Sequence, residues 1–186
     1  MPSDTANRLT EAVLLSIREH GYAGTSMQDL LRETGVSSSS MYHFFPGGKE
    51  ELVASAVRRS GAWATRRIRR VLEEHEPAEA IAQIFDWSAT EMVGNDFALG
   101  CPIGVPATEA PADSTAIREA VAETFEAWAT EYAAALQKSG LDDKQATILG
   151  RFIVTAYEGS VTLARATRST EPYEDAKTVI DAQLGR

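Results

Sequence analysis

A single cysteine, Cys101, stands in 186 residues, which excludes an internal disulfide framework and any Cys-based zinc finger and fits a reducing compartment. Long apolar runs are missing too. Near the N-terminus the longest, Ala12 to Leu15, falls far short of the roughly 20 residues that a membrane span needs. No basic segment followed by an apolar one marks a leader, so the chain reads as cytosolic with no membrane partner. Strand-like alternation is absent. So are common enzyme signatures: there is no G-x-S-x-G elbow, no G-x-G-x-x-G turn, no Walker lysine loop and no H-E-x-x-H. His20, His43 and His75 are scattered without ligand spacing. No catalytic group, metal or cofactor is expected.

What remains is the composition of a folded domain. Hydrophobic residues make up 44% and charged residues 24%, enough for a full core in one large domain or a small one fused to a medium one. The net charge of −9 disfavours a nucleic-acid partner until the chain is divided. Residues 1–70 hold 10 Lys and Arg against 7 Asp and Glu, while residues 71–186 hold 8 against 20. A mildly basic head on an acidic body is what a polyanion binder shows, because attraction to phosphates depends on the local field. Ordinary variation between solvated surfaces gives the same numbers.

Apolar residues recur at helical spacing, as in Leu9, Val13, Ile17 and in Ile117, Val121, Phe125, Trp128, Tyr132, Leu136. Breaks fall at Gly21, Gly35, Pro46-Gly47-Gly48, Pro77, the stretch 94–111, Gly140 and Pro172. About nine helices are expected, in an all-α fold. Start signals agree: Ser26 precedes Asp29 by three residues, Asp142 precedes Gln145 by three, and Pro172 suits a first helical turn. The division expected is a small domain over 1–50 and a larger one over 51–186, with a long helix from about Lys49 shared between them.

The informative segment runs from Gln28 to Phe45. A short helix ends at Gly35, which tolerates the left-handed conformation of a helix C-terminus; Val36 turns inward and Ser37 caps a second short helix. Leu30, Leu31, Met41 and Phe44 take the inward positions. Ser38, Ser39, Tyr42 and His43 are left outside, the arrangement of a helix-turn-helix that lays its second helix in a major groove. Serine hydroxyls at 37, 38, 39 and 40 can meet base edges or phosphates, as can Gln28 and His43, and Tyr42 can donate to a phosphate. Thr25 and Ser26 open the preceding helix, and Lys49 opens the next, where positive charge and free N–H groups attract phosphate. The plainer reading, a polar loop at Ser37–Ser40 beside a half-buried Tyr42, stands next to this one.

The stretches Glu19 to Met27, Thr34-Gly35-Val36-Ser37, Tyr42 to Pro46 and Gly48 to Leu52 resemble the DNA-binding domain of the tetracycline-repressor (TetR) family. The resemblance implies that Thr25, Tyr42 and Lys49 hold phosphates while Ser38, Ser39 and His43 face the groove. Gly100-Cys101-Pro102-Ile103-Gly104 resembles a segment of the LmrA/YxaF-like branch. A basic N-terminal arm is missing, with Arg8 the only early base.

In the rest of the chain, Trp63, Trp87, Met92, Phe97, Phe125, Trp128, Tyr132, Phe152 and Tyr157 supply either a packed core or the lining of a cavity between helices. The family resemblance adds that this half binds a small molecule. An aromatic lining suits a flat, lipophilic ligand, a cationic one included, held by stacking and cation–π contact. Arg67 and Cys101 are counted with this set. The Arg66, Arg67, Arg69, Arg70 run also reads as solvated ion pairs with Glu73 and Glu74, and Cys101, without a nearby base, as a buried structural residue. The last two helices are apolar beyond one stripe, at Ile148, Phe152, Leu163, Val179, Ile180 and Leu184, with small residues around Gly159, so a second copy is expected to pack there. The resemblance points to the same interface.

These readings combine into a ligand-responsive repressor, homodimeric on a near-palindromic operator. A small-molecule sensor or carrier whose N-terminal helices meet a protein partner is the competing reading.

Overall fold

The computed structural model describes residues 4–185. Among them run nine α-helices and no strand: α1 Asp4–Gly24, α2 Met27–Thr34, α3 Ser38–Phe44, α4 Gly48–Glu74, α5 Pro77–Gly94, α6 Gly104–Glu109, α7 Thr115–Lys138, α8 Asp143–Thr167 and α9 Glu171–Gln183. The capping chemistry sets most of these ends. Ser26 Oγ accepts the Asp29 N–H at 3.3 Å, Ser37 Oγ accepts that of Ser40 at 3.2 Å, and the Asp142 carboxylate accepts those of Lys144 and Gln145 at 3.0 and 3.1 Å. Each pairs an N–H that the helix itself leaves unpaired. Gly35 closes α2 at φ 64°. The Val36 N–H then bonds back to the Leu31 carbonyl at 3.1 Å, a Schellman closure that turns Val36 into the core.

The chain forms two compact units, and they do not follow a division at residue 50. The first is residues 4–62 with Cys101–Thr124; the second is Trp63–Gly100 with residues 125–185. Helix α4 supplies its first half to one and its second half to the other.

In the first unit Leu9, Val13 and Ile17 of α1 are fully buried, together with Leu52, Val53 and Val57 of α4, Ile103, and Ile117 of α7. Gly61 of α4 lies so close to Thr124 of α7 that a side chain at 61 has no room. Residues 101–124 also change the electrostatics. With them included, the unit holds 7 Lys and Arg against 11 Asp and Glu, a net charge of −4. The basic head expected from residues 1–70 therefore does not exist as a folded object; four of its arginines, 66, 67, 69 and 70, belong to the other unit.

In the second unit Phe85 sets its ring edge-on against Tyr157 and Tyr173, with centroids 5.6 and 6.4 Å apart. Tyr173, the largest fully buried side chain, shares a 3.1 Å hydrogen bond with Ser88. Helices α7 and α8 approach through Gly150, where a Cβ would stand 2.6 Å from the Ala129 carbonyl oxygen. Gly159 faces open space within the protomer.

Candidate nucleic-acid interface

Helix α3 is held by its apolar side and presents its polar side. Met41 is buried, Phe45 just beyond the helix is buried, and Phe44 is half-covered. Ser38, Ser39, Tyr42 and His43 are exposed, Tyr42 to 56%. The hydroxyls of Ser38, Ser39 and Tyr42 make no hydrogen bond among the described residues, and the His43 ring stands edge-on to Phe44, centroids 5.1 Å apart. Gln28 and Ser26 of the preceding helix are exposed as well. Ser37 and Ser40 are occupied with each other: the Ser37 hydroxyl caps α3 and donates to Ser40 Oγ at 3.1 Å.

Two expected phosphate contacts are placed differently. Thr25 is buried, its hydroxyl donating to the Gly21 carbonyl at 2.8 Å and accepting from Ser16 at 3.1 Å. Its side chain serves as a bolt in the α1–α2 turn, with no free proton for a ligand. Lys49 is half-buried and donates to the Tyr22 and Thr25 carbonyls at 2.5 and 2.7 Å, with its ammonium 4.3 Å from the centre of the Tyr22 ring. Desolvation holds its pKa below the usual lysine value. Two of its three protons are spent inside the protein, and the third remains for an anion.

Other bases of this unit are engaged internally. Arg8 donates to the Thr34 carbonyl at the end of α2, so it ties α1 to the helix-turn-helix. Arg32 pairs with Asp29 at 2.5 Å, Arg58 with Glu123 at 3.1 Å and Arg59 with Glu11 at 2.6 Å. The face around α3 is rich in exposed hydroxyls, at Ser38, Ser39 and Tyr42.

These features are those of one sequence family. Residues 10–56 match the profile of bacterial regulatory proteins of the tetR family, and residues 77–179 match that of the C-terminal domain of LmrA/YxaF-like transcriptional regulators. The chain belongs to the TetR family. Its TetR relatives include two HTH-type transcriptional regulators of Bacillus subtilis. YxaF is 28% identical over 170 residues, covering 91% of this chain and 89% of YxaF, and LmrA is 26% identical over 184 residues, covering 98% of each. Among solved structures, the TetR-family regulator CifR, a cysteine mutant complexed with operator DNA, superposes with a TM-score of 0.76 at 21% identity, covering 99% of this chain and 98% of that one. As a TetR-family protein, the chain is a DNA-binding transcriptional regulator. No helix among the described residues is long and apolar enough to cross a membrane.

The residues expected at an effector site separate into several places. Arg67, Trp87, Trp128, Tyr132 and Tyr157 line one cleft together with Ile68, Ile84 and Val154. Trp63 stands beside Trp87, ring centres 6.0 Å apart, and Phe125 beside Trp128 at 5.7 Å. Met92 is buried and does not line the cleft. Phe97 sits at φ 59° in the loop after α5, covered by the Arg168 guanidinium at 5.6 Å, and Arg168 also pairs with Asp96 at 2.5 Å. Cys101 is buried in the first unit, its Sγ accepting from the Ile103 N–H at 3.4 Å. Arg69 pairs with Glu131 at 2.6 Å, a partner 62 residues away that the nearby Glu73 and Glu74 conceal in the sequence.

Phe152 belongs elsewhere too. It lines an apolar groove of about 500 Å³ with Leu141, Gln145, Ile148, Leu149, Val179 and Gln183. Ile148, Phe152, Leu163 and Val179 are exposed, and Gly159 with them. Ile180 is fully buried and Leu184 half-buried. Val179 and Ile180 are adjacent on one helix, 100° apart around its axis; Val179 faces out, so Ile180 packs inside the protomer and cannot meet a second copy.

Proposed function

We propose that this chain is a ligand-responsive repressor that binds a near-palindromic operator as a homodimer and is released by a small lipophilic or aromatic effector. The observation that carries the reading is the face of α3, where three hydroxyls point outward without a hydrogen-bond partner among the described residues, beside the exposed imidazole of His43. A helix seated by Met41 and capped by Ser37 presents these groups rigidly, as groove readout requires. The α8–α9 surface supports dimerisation: four exposed large apolar side chains, three of them lining the groove, are the mark of a helix pair that packs on its own copy. The operator complex of CifR supports the DNA-bound state by analogy of fold.

Effector action is a population shift. Helix α4 begins at the helix-turn-helix and continues into the unit that holds the aromatic cleft, so an effector that favours one setting of α4 changes the spacing of two recognition helices in a dimer. A coupling of about 1–3 kcal/mol lowers operator affinity roughly 5–150-fold. The test is selection of bound fragments from the source genome at two salt concentrations, with Tyr42→Ala as control. One near-palindromic site lost in the variant supports the reading. Equal recovery by both proteins overturns it, and a protein-contact role for the N-terminal helices takes its place.

A further inference from the structure

The aromatic cleft of the second unit has one ionisable cation, no carboxylate, and a hydroxyl without a partner. Its volume is about 40 Å³, far under the roughly 300 Å³ of a small ligand pocket, so a drug-sized ligand enters only by moving a side chain. Arg67 is the side chain with least to hold it. Its guanidinium lies 4.3 Å from the centre of the Trp87 ring and 5.8 Å from that of Trp63, and it makes no hydrogen bond or ion pair among the described residues. Stacking alone keeps it in place. Arg66 and Arg70, on the same stretch of α4, also make no ion pair among the described residues.

Tyr132 is 3% exposed, lines the same cleft, and its hydroxyl makes no hydrogen bond among the described residues. With no internal partner, that hydroxyl is available to donate to a ligand. Burial also pushes its pKa up, so it stays a neutral donor. A cationic ligand, which aromatic walls alone would accommodate, meets like charge here, because the protein has already placed its own cation on the two tryptophans.

We propose that the effector is a planar aromatic anion, its carboxylate paired with the Arg67 guanidinium and its ring taking the place which that guanidinium now holds against Trp87. Arginine suits the role because its fork meets a carboxylate through two parallel N–H···O bonds. The displaced stack is replaced by ring–ring contact, and the Tyr132 hydroxyl gains an acceptor in the bound ligand. This inference rests on the effector-responsive reading above.

The test is isothermal titration calorimetry of the full chain with naphthoate, naphthamide and naphthylmethylammonium, which share one ring system and differ in charge. Naphthoate is expected to bind at least about tenfold tighter than naphthamide, the worth of a charge-assisted pair, with the ammonium weakest. Arg67→Met removes the preference for the anion, while Arg67→Lys restores part of it. Tyr132→Phe weakens naphthoate about threefold through the lost donor. Should the Arg67→Met chain fail to melt cooperatively, the three-ligand series on the unaltered chain still decides. Equal or tighter binding of the amide or the ammonium, or an anion preference that survives Arg67→Met, overturns the anion assignment and leaves an effector site standing. Binding by none of the three, with none releasing operator, overturns both.

Discussion

The Glu109 carboxylate, at the end of α6, accepts the backbone N–H of Tyr22 at 2.8 Å, joining two residues 87 positions apart where Gly21 breaks α1 at φ 76°. The break frees the Tyr22 N–H from the helix, and α6 supplies its acceptor. A methyl group at Gly21 meets that same carboxylate.

Gly21→Ala is therefore expected to destabilise the fold by about 1–3 kcal/mol, because φ 76° with ψ 174° is a backbone region open essentially only to glycine, plus the loss of the Glu109 contact. In a Glu109→Ala background the second part vanishes. Urea denaturation of both single variants and the double variant should give a coupling of about 0.5 kcal/mol or more. Strict additivity contradicts the contact.

Lys49 gives a pH prediction. Its pKa is lower in the fold than in the unfolded chain because burial disfavours the ammonium, so the unfolded state binds more protons and stability rises with pH through the folded pKa toward 10.5. The Lys49→Met chain lacks this rise. The stability difference, unaltered chain minus variant, should widen between neutral and alkaline pH; a difference that is flat or shrinks shows that the ammonium is not desolvated as described. The variant should also bind DNA more weakly on every sequence, since it loses both the tie to Tyr22 and Thr25 and the remaining proton.

Tyr42 and His43 separate anchoring from reading. With Tyr42 exposed, Tyr42→Ala should leave stability within about 0.5 kcal/mol and weaken binding to all duplexes alike. His43→Ala or Ser39→Ala should change the ranking of duplexes. A Tyr42→Ala variant that alters ranking, or a His43→Ala variant that weakens every duplex equally, reverses the two roles.

The α8–α9 hairpin separates assembly from folding. Phe152→Lys places a charge on the exposed groove and should shift sedimentation toward the monomer at unchanged thermal stability of the protomer. Ile180→Ala opens a cavity inside the protomer and should cost about 2–5 kcal/mol. If Phe152→Lys sediments as the unaltered chain does, the groove is not the interface.

The elements visible in the sequence are those fixed by local chemistry. Ser26, Gly35, Ser37 and Asp142 act on N–H and carbonyl groups within a few residues, so their spacing alone announces the helix ends and the helix-turn-helix. What stayed hidden depends on partners far along the chain. Thr25 and Lys49 look like surface donors until the Gly21 break brings the Tyr22 and Gly21 carbonyls to them. The excess of bases in residues 1–70 disappears because residues 101–124 return to the first unit with their acids. The aromatic set was legible as residue types, yet only the packing shows which of them share a cleft: Phe97 is taken by Arg168 and Phe152 by the groove. Tyr173, at the centre of the second unit, sits in a polar stretch beside Pro172 that gives no sign of burial.

Two chains joined through α8 and α9 are expected to present two α3 helices to one DNA site. Sedimentation velocity of a labelled duplex carrying the selected site, titrated with the full chain, measures this directly. The account predicts an even number of chains per duplex, loss of the complex with Tyr42→Ala although that variant remains a dimer, and loss with Phe152→Lys together with the dimer. One chain per duplex, or a complex that forms undiminished with both variants, contradicts it.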